Sequence, residues 1–176
     1  MAAFEHEAHG FWLEVGRTLD VWQKVEQQLC EIFVTTIQSP ISDSVRASFY
    51  KVISIGTKRS MITAALSIRV EDQALTERWK KLSKQIEDHS KRRNSLAHGT
   101  RWDNAGTSIM GPHLNDVTLR DRHMQLNGGE FLDQPAIHAL QREFWTLVTD
   151  LTIFNNDLGL HTMSFGKPIN LPSGRL

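Results

Sequence analysis

The residue types with the clearest chemical potential are Arg93, Asn94 and His98, in the segment Arg-Asn-Ser-Leu-Ala-His-Gly at 93–99. Imidazole titrates near neutral pH, so a histidine such as His98 can accept or donate a proton during catalysis. The guanidinium of Arg93 can bind a phosphate through two hydrogen bonds and stabilise negative charge in a transition state. Asn94 and His98 are four residues apart and share a helix face, so Asn94 can orient the imidazole or contact the phosphate. Together these residue types can bind an anionic group and transfer a proton beside it.

Four segments with helical periodicity must position these residues, because their apolar side chains recur at three- and four-residue steps. Asp43 and Asp133 are the predicted N-caps of the second and fourth helices. Gly99 and Gly159 predict where the third and fourth helices end. The segments cover roughly residues 9–38, 44–70, 75–98 and 133–158.

The apolar stripes indicate which faces of the helices turn inward. The second helix includes small residues in its stripe, so we expect a close neighbour there and interpret it as the central, most buried helix. In the third helix, the inward row changes from apolar to ionisable residues towards the C-terminal end. The four predicted stripes are Trp12, Val15, Leu19, Trp22, Leu29, Phe33 and Thr36; Phe49, Ile53, Gly56, Ser60 and Ala64; Leu75, Trp79, Leu82, Ile86, His89, Arg93 and Leu96; and Ile137, Leu140, Phe144, Leu147, Leu151, Phe154 and Leu158.

These segments predict an all-α fold, an antiparallel four-helix bundle with a long loop or small hairpin between helices 3 and 4. The loop at 100–132 includes β-prone pieces at 117–119 and 124–126. We expect one domain over residues 1–159 and a flexible C-terminal tail over 160–176. The long apolar seams also favour a homodimer, because a second copy is the commonest cover for such a surface.

Composition narrows the class of protein. Cys30 is the single cysteine and is expected in the core, and no leader or membrane-spanning run is apparent, which favours the cytoplasm. Neither a Gly-rich phosphate loop, nor zinc-ligand spacing, nor a Ser-His-Asp arrangement is recognisable, and His6 and His9 lack further ligands, so we expect no metal and no cofactor.

Charge is distributed unevenly, although twenty basic and twenty acidic residues cancel over the whole chain. Residues 78–101 include eight basic residues but only two acidic ones, Glu87 and Asp88. This excess of positive charge can attract a polyanion. A solvated helix face is the alternative interpretation of the lysines. The basic residues are Arg78, Lys80, Lys81, Lys84, Lys91, Arg92, Arg93 and Arg101.

The arginine, the asparagine directly after it and the histidine after four intervening residues resemble the motif of the HEPN family. The architecture resembles that family too, from a Trp-rich first helix with an embedded Glu to a closing fourth helix, over residues 11–158. Arg92 also satisfies the spacing to His98, but Arg93 precedes the asparagine and lies on the inward stripe.

The resemblance implies a metal-independent endoribonuclease, with Arg93, Asn94 and His98 catalytic and two copies of the motif facing each other in a homodimer. Such proteins resemble toxins or defence effectors of microbes, so a neutralising antitoxin protein is a further expected partner beside RNA. For RNA binding we single out Lys91 and Arg92, together with Arg101 and Trp102, whose indole can stack on a base.

Each assignment has an alternative. A non-catalytic HEPN-like module binding RNA, a nucleotide or a protein through the same groove would leave the three residues as helix caps or ion-pair partners. His89 either lines the same cleft or is a hydrogen-bonded core histidine, and Trp102 either stacks on a base or packs over the helix end. Glu26 either is buried and pairs with Arg93 or another basic residue, or lies at the rim while Val25 fills the core layer.

Overall fold

The computed structural model describes residues 2–104, 107–111 and 132–165, with side chains at 9–99, 110 and 132–162. The described part is predominantly helical, which confirms the predicted class at that level. The elements are α1 (Ala2–Ile37), α2 (Ser42–Lys51), α3 (Ile55–Arg69), α4 (Gln73–His98), β1 (Thr100–Asn104), β2 (Thr107–Gly111), β3 (Leu132–Asp133) and α5 (Gln134–Phe165). The three strands form a small antiparallel sheet in the order β1-β2-β3.

The prediction of one helix over 44–70 is wrong, because the chain breaks into α2 and α3 at residues 52–54. Val52 and Ser54 are extended, with ψ of 117° and 122°. The Ser54 hydroxyl accepts the Thr57 N–H at 3.3 Å and so caps a new helix. Asp43 does not cap α2 either, since Ile41 occupies the N-cap position and Asp43 lies in the first turn.

The predicted inward stripe of this segment is also wrong beyond Phe49, which is buried. Ile53 is 96% exposed at the break, and Ser60 and Ala64 are exposed as well. The break changes the register of α3, which buries another row in their place. Its buried residues are Lys58, Ile62, Ala65 and Leu66.

The break also changes the direction of the helices. Helices α1 and α3 run parallel. Glu26 contacts Lys58, and further along both helices the Ile37 carbonyl contacts Arg69. Antiparallel packing, as predicted, occurs between α3 and α4 and between α4 and α5. The contacts that show it are Arg59–Ser83, Thr63–Trp79, Arg78–Asp157 and His89–Phe144.

The core is built mainly around α1 and α5, which share the most extensive helix–helix interface. The predicted second helix is therefore not the central one. All seven residues of the predicted α5 stripe are buried, and so are Leu75, Trp79, Leu82 and Ile86 on α4. In α1 the predicted stripe is largely correct from Val15 onward. Trp12, however, is 47% exposed, and its neighbour Phe11 is buried instead.

The predicted end of the third helix is confirmed, since α4 ends at His98 and Gly99 follows it. Gly99 is extended, with φ −70° and ψ 160°, and leads directly into β1 of a hairpin. The predicted end of the fourth helix is wrong, because Gly159 lies within α5, which continues to Phe165. The Asp133 cap is confirmed by its carboxylate, which accepts the Ala136 N–H at 2.8 Å. The β-prone pieces at 117–119 and 124–126 and the tail beyond 165 lie outside the described residues.

Candidate functional site

The C-terminal part of α4 carries the three predicted catalytic residues. The helix starts at the Asp72 carboxylate, which accepts the N–H groups of Ala74 and Leu75 at 2.7 and 3.2 Å. Near its other end, Leu96 is buried in the core and fixes which faces point outward. Asn94 and His98 are therefore exposed, and Arg93 is half-buried.

Arg93 and Asn94 are directly bonded, because Arg93 Nη1 donates to Asn94 Oδ1 at 3.1 Å. On an ideal helix, Arg93 and His98 would be about 140° apart around the axis, but Asn94 and His98 share a face. The bond to Asn94 turns the guanidinium towards that shared face. Arg93 Nε is buried and has no hydrogen-bond acceptor among the described residues.

Arg92 has a different role. Its guanidinium donates to Glu143 on α5 through a very short contact of Nη1 with Oε2, which joins the end of α4 to the start of α5. Of the two arginines that satisfy the motif spacing, Arg92 is thus engaged by a carboxylate, whereas Arg93 contacts none in the part of the chain that the structure describes. Glu143 was missed by the sequence prediction, because nothing in its local pattern distinguishes it from other exposed acids on α5.

His89 faces the same carboxylate without bonding to it. Its Nδ1 lies 3.7 Å from Glu143 Oε2 and, although buried, has no hydrogen-bond partner among the described residues. The ring packs edge-on against Phe144, with centroids 5.7 Å apart. Burial lowers the pKa of His89, although the Glu143 charge acts in the opposite direction. His89 is therefore close to the motif in the helix but is held in a partly apolar environment.

Acidification is expected to destabilise the protein through His89. Since burial lowers its pKa, the unfolded chain binds a proton more readily than the folded one. The contribution of neutral His89 to the free energy of unfolding is complete above the ordinary pKa of about 6.5. It is lost as pH falls through the lowered pKa. Urea denaturation from about pH 8 to about pH 5 measures this loss, and His89→Gln should reduce the slope of stability against pH in that range. An unchanged slope in the variant would contradict the assignment.

The predicted basic cluster is largely neutralised by acids from neighbouring turns and helices. Arg78 pairs with Asp157 of α5 at 2.5 Å, and Lys80 pairs with Glu77 at 2.6 Å. Lys84 and Lys91 both contact the carboxylates of Glu87 and Asp88, which keeps the pKa of each carboxyl below its usual range. The excess counted from the sequence therefore overstates the positive field that a polyanion meets at α4.

Glu26 does not support the motif. Its Oε2 accepts from Lys58 Nζ of α3 at 2.5 Å, and its Oε1 accepts from Trp22 Nε1 at 3.2 Å. Each of the two predicted alternatives is correct in part. Val25 is buried in the adjacent core layer, and Glu26 pairs with a basic residue. Of the two predicted kinds of partner, Arg93 or another basic residue, the structure has the second, since the partner is Lys58.

The other predicted RNA-binding residues are only partly described. Lys91 is exposed on α4, one turn before the motif. Arg101 and Trp102 lie in β1, directly after Gly99, and pair with Met110 and Ile109 of β2 through the backbone. Their side chains lie outside the description, so their stacking or phosphate contacts remain predictions.

Among the described residues, no group of three or more His, Cys, Asp or Glu side chains is arranged to hold a metal ion. Within the same residues, no helix combines the length and apolar character needed to cross a bilayer.

Comparison with protein-family models, with curated protein sequences and with solved structures finds no significant match for this chain. The chemistry possible at the end of α4 therefore follows from its own groups. These are an incompletely satisfied guanidinium, an amide bonded to it and an exposed imidazole on the next turn. The set can bind an anionic oxygen and transfer a proton beside it.

Proposed function

We propose that this chain is a metal-independent endoribonuclease of the HEPN type, with Arg93, Asn94 and His98 as its catalytic residues. The observation that supports the proposal most is the hydrogen bond from the Arg93 guanidinium to Asn94, which shares a helix face with His98. In this proposal α1, α3, α4 and α5 correspond to the four helices of the family's bundle.

The proposed reaction needs the ribose 2′-hydroxyl. His98 removes its proton, the 2′-oxygen attacks the adjacent phosphorus, and the bond from phosphorus to the 5′-oxygen breaks. Arg93 binds the non-bridging oxygens and stabilises their charge, while Asn94 holds the guanidinium in place. The products are a 2′,3′-cyclic phosphate and a 5′-hydroxyl, whose proton comes from solvent.

Purified protein is expected to cleave RNA in the presence of EDTA and to leave DNA of the same sequence intact, because DNA lacks the 2′-hydroxyl. Mass spectrometry of the products identifies the cyclic phosphate. Cleavage that requires an added divalent metal would contradict the mechanism. Binding of RNA without cleavage would assign the chain to the alternative class, a non-catalytic HEPN-like module.

The proposal includes the biological setting that the resemblance implies. The protein acts on RNA in the cytoplasm as a toxin or defence effector, forms a homodimer and is controlled by a neutralising protein.

A further inference from the structure

A groove between α1 and α5 exposes two tryptophan side chains outside the proposed catalytic site. Trp12 of α1 and Trp145 of α5 are each 47% exposed, and with Leu13 and Val21 they line a depression of about 500 Å³. This volume lies within the range of roughly 300–1,000 Å³ that is common for sites binding small organic groups. Clusters of exposed apolar side chains mark interaction surfaces. The groove is therefore a candidate site for a flat, largely apolar group.

The charges along the α1 side of the groove are satisfied within the chain. Glu14 accepts from Arg17 at 2.8 Å and lies 3.1 Å from His138, and Asp20 lies 3.5 Å from Lys24. These pairs leave the edge of α1 with little net charge. The affinity for a ligand must therefore come from the indoles and the apolar lining, and any attraction for a charged group must come from another element.

Arg142 provides a positive charge on the α5 side. It is exposed, and its guanidinium forms no ion pair with another described residue. On an ideal helix it is about 60° from Trp145 and about 100° from Glu143 around the axis of α5. Because Glu143 contacts Arg92 of α4, Arg142 lies on the solvent side of α5, between the groove and the helix that carries the motif. A guanidinium in this position can bind a phosphate.

Exposed indoles beside a cation are typical of surfaces that bind single-stranded nucleic acid. The bases stack on the aromatic side chains whatever their sequence, while basic side chains contact the phosphates. Gln141, which also lines the groove, carries an amide donor and an acceptor that can pair with a base edge. The bases of a duplex are stacked on each other and do not reach the indoles, so the groove fits a single strand.

We propose that the groove between Trp12 and Trp145 binds unpaired bases of single-stranded RNA, with Arg142 on the phosphate that leads from the groove towards α4. The role of this contact in substrate binding rests on the proposed ribonuclease function, whereas base binding in the groove does not. Trp145 and Glu143 are about 160° apart on α5, so the groove and α4 lie on different sides of that helix. A homodimer in which the ends of α4 face each other therefore does not need the groove.

Single-stranded DNA is the probe that tests the groove, because it presents stacking bases but lacks the 2′-hydroxyl that the proposed cleavage requires. Fluorescence anisotropy of a short labelled oligodeoxyadenylate gives the dissociation constant. Trp12→Ala and Trp145→Ala should each raise this constant about 5- to 150-fold, as expected for the loss of one stacking side chain. Trp12→Phe and Trp145→Phe should keep most of the affinity, and the annealed duplex should bind much more weakly than the single strand.

Matched controls separate the groove from other exposed groups. Tyr50→Ala should leave the dissociation constant unchanged, because Tyr50 is 52% exposed on α2 and does not line the groove. Arg142→Ala should reduce the slope of log affinity against log salt by about 0.7, the value for one phosphate of a single strand. Lys80→Met should leave the slope unchanged, since Lys80 is paired with Glu77 at 2.6 Å. Thermal unfolding checks that all variants remain folded.

Base binding and RNA cleavage can fail separately. A wild type that binds the oligonucleotide through both tryptophans but cuts no RNA supports the groove and refutes the ribonuclease proposal. Absence of binding by the wild type, equal binding of duplex and single strand, or tryptophan variants no weaker than Tyr50→Ala would each overturn the groove. If Trp12→Ala and Trp145→Ala instead change the mass of the free protein in sedimentation equilibrium and not its affinity for the oligonucleotide, the groove holds a second copy of the chain and the proposal is wrong.

Discussion

Replacing His98 or Arg93 with alanine is expected to abolish RNA cleavage and to leave the fold intact. Loss of a proton-transfer group typically reduces the rate about 10²- to 10⁴-fold. The structural cost is small, because His98 is exposed at the end of α4 and such helix-end contacts contribute about 1 kcal/mol or less. Buried Leu96 still anchors the helix in both variants. Cleavage of a labelled RNA gives the rate, and thermal unfolding reports the stability.

Arg92→Ala is the matched control, because it removes the neighbouring guanidinium that satisfies the same motif spacing. It should keep most of the cleavage activity, since Arg92 is engaged by Glu143 of α5. Its loss of stability should stay within about 1 kcal/mol, as expected for a partly exposed ion pair. If Arg92→Ala is inactive and Arg93→Ala is active, Arg92 and not Arg93 is the catalytic arginine. Variants at Arg93 and His98 that cleave as fast as wild type would remove the site.

The long periodic helices could be predicted from the sequence because their stripes are continuous. In α5, seven apolar residues from Ile137 to Leu158 keep one register, and all of them are buried. The row from Leu75 to Ile86 placed α4 correctly in the same way, and with it the position of Arg93 near the helix end. For these segments local periodicity and tertiary packing agree, so the pattern is sufficient.

The split of α2 from α3 could not be predicted in this way. A lysine is normally counted as a solvent residue, yet Lys58 is on the buried face of α3, because its charge is paired with Glu26 of α1. Ile53 is normally counted as a core residue, yet it is exposed at the break. A tertiary ion pair between residues 32 positions apart decides the register here, and periodicity within the segment does not contain it.

The electrostatics of the candidate site depend on contacts between distant residues as well. Counting charges along 78–101 indicated a strong basic excess, but Asp157 and Glu143 lie 79 and 51 positions from their partners, Arg78 and Arg92. Antiparallel packing of α5 on α4 brings these carboxylates into contact with the basic helix. The motif itself was local and could be found from the sequence, whereas the distinction between Arg92 and Arg93 needed the fold.

Breaking the ion pair between Lys58 and Glu26 is expected to cause a large loss of stability. The Lys58 side chain is only 4% exposed, and its Nζ lies 2.5 Å from Glu26 Oε2 and 5.3 Å from the centre of the Phe49 ring. Glu26→Gln leaves this buried ammonium without its counter-charge, which typically costs about 3–5 kcal/mol. Lys58→Met should cost less, because Glu26 is 20% exposed and keeps its bond from Trp22. Urea denaturation at neutral pH measures both free energies of unfolding.

Two further variants separate charge burial from the loss of a contact. Glu26→Leu combined with Lys58→Met should recover most of the lost stability, because buried ion pairs can often be replaced by apolar residues of similar volume at little cost. Lys80→Met is the surface control: it breaks the Lys80–Glu77 pair, whose side chains are 63% and 52% exposed, and should cost less than about 1 kcal/mol. If Glu26→Gln proves no more destabilising than Lys80→Met, the pair does not hold α3 against α1. The double variant, Glu26→Leu with Lys58→Met, buries no unpaired charge. If it is nevertheless less stable than either single variant, the loss of stability comes from packing and not from charge burial.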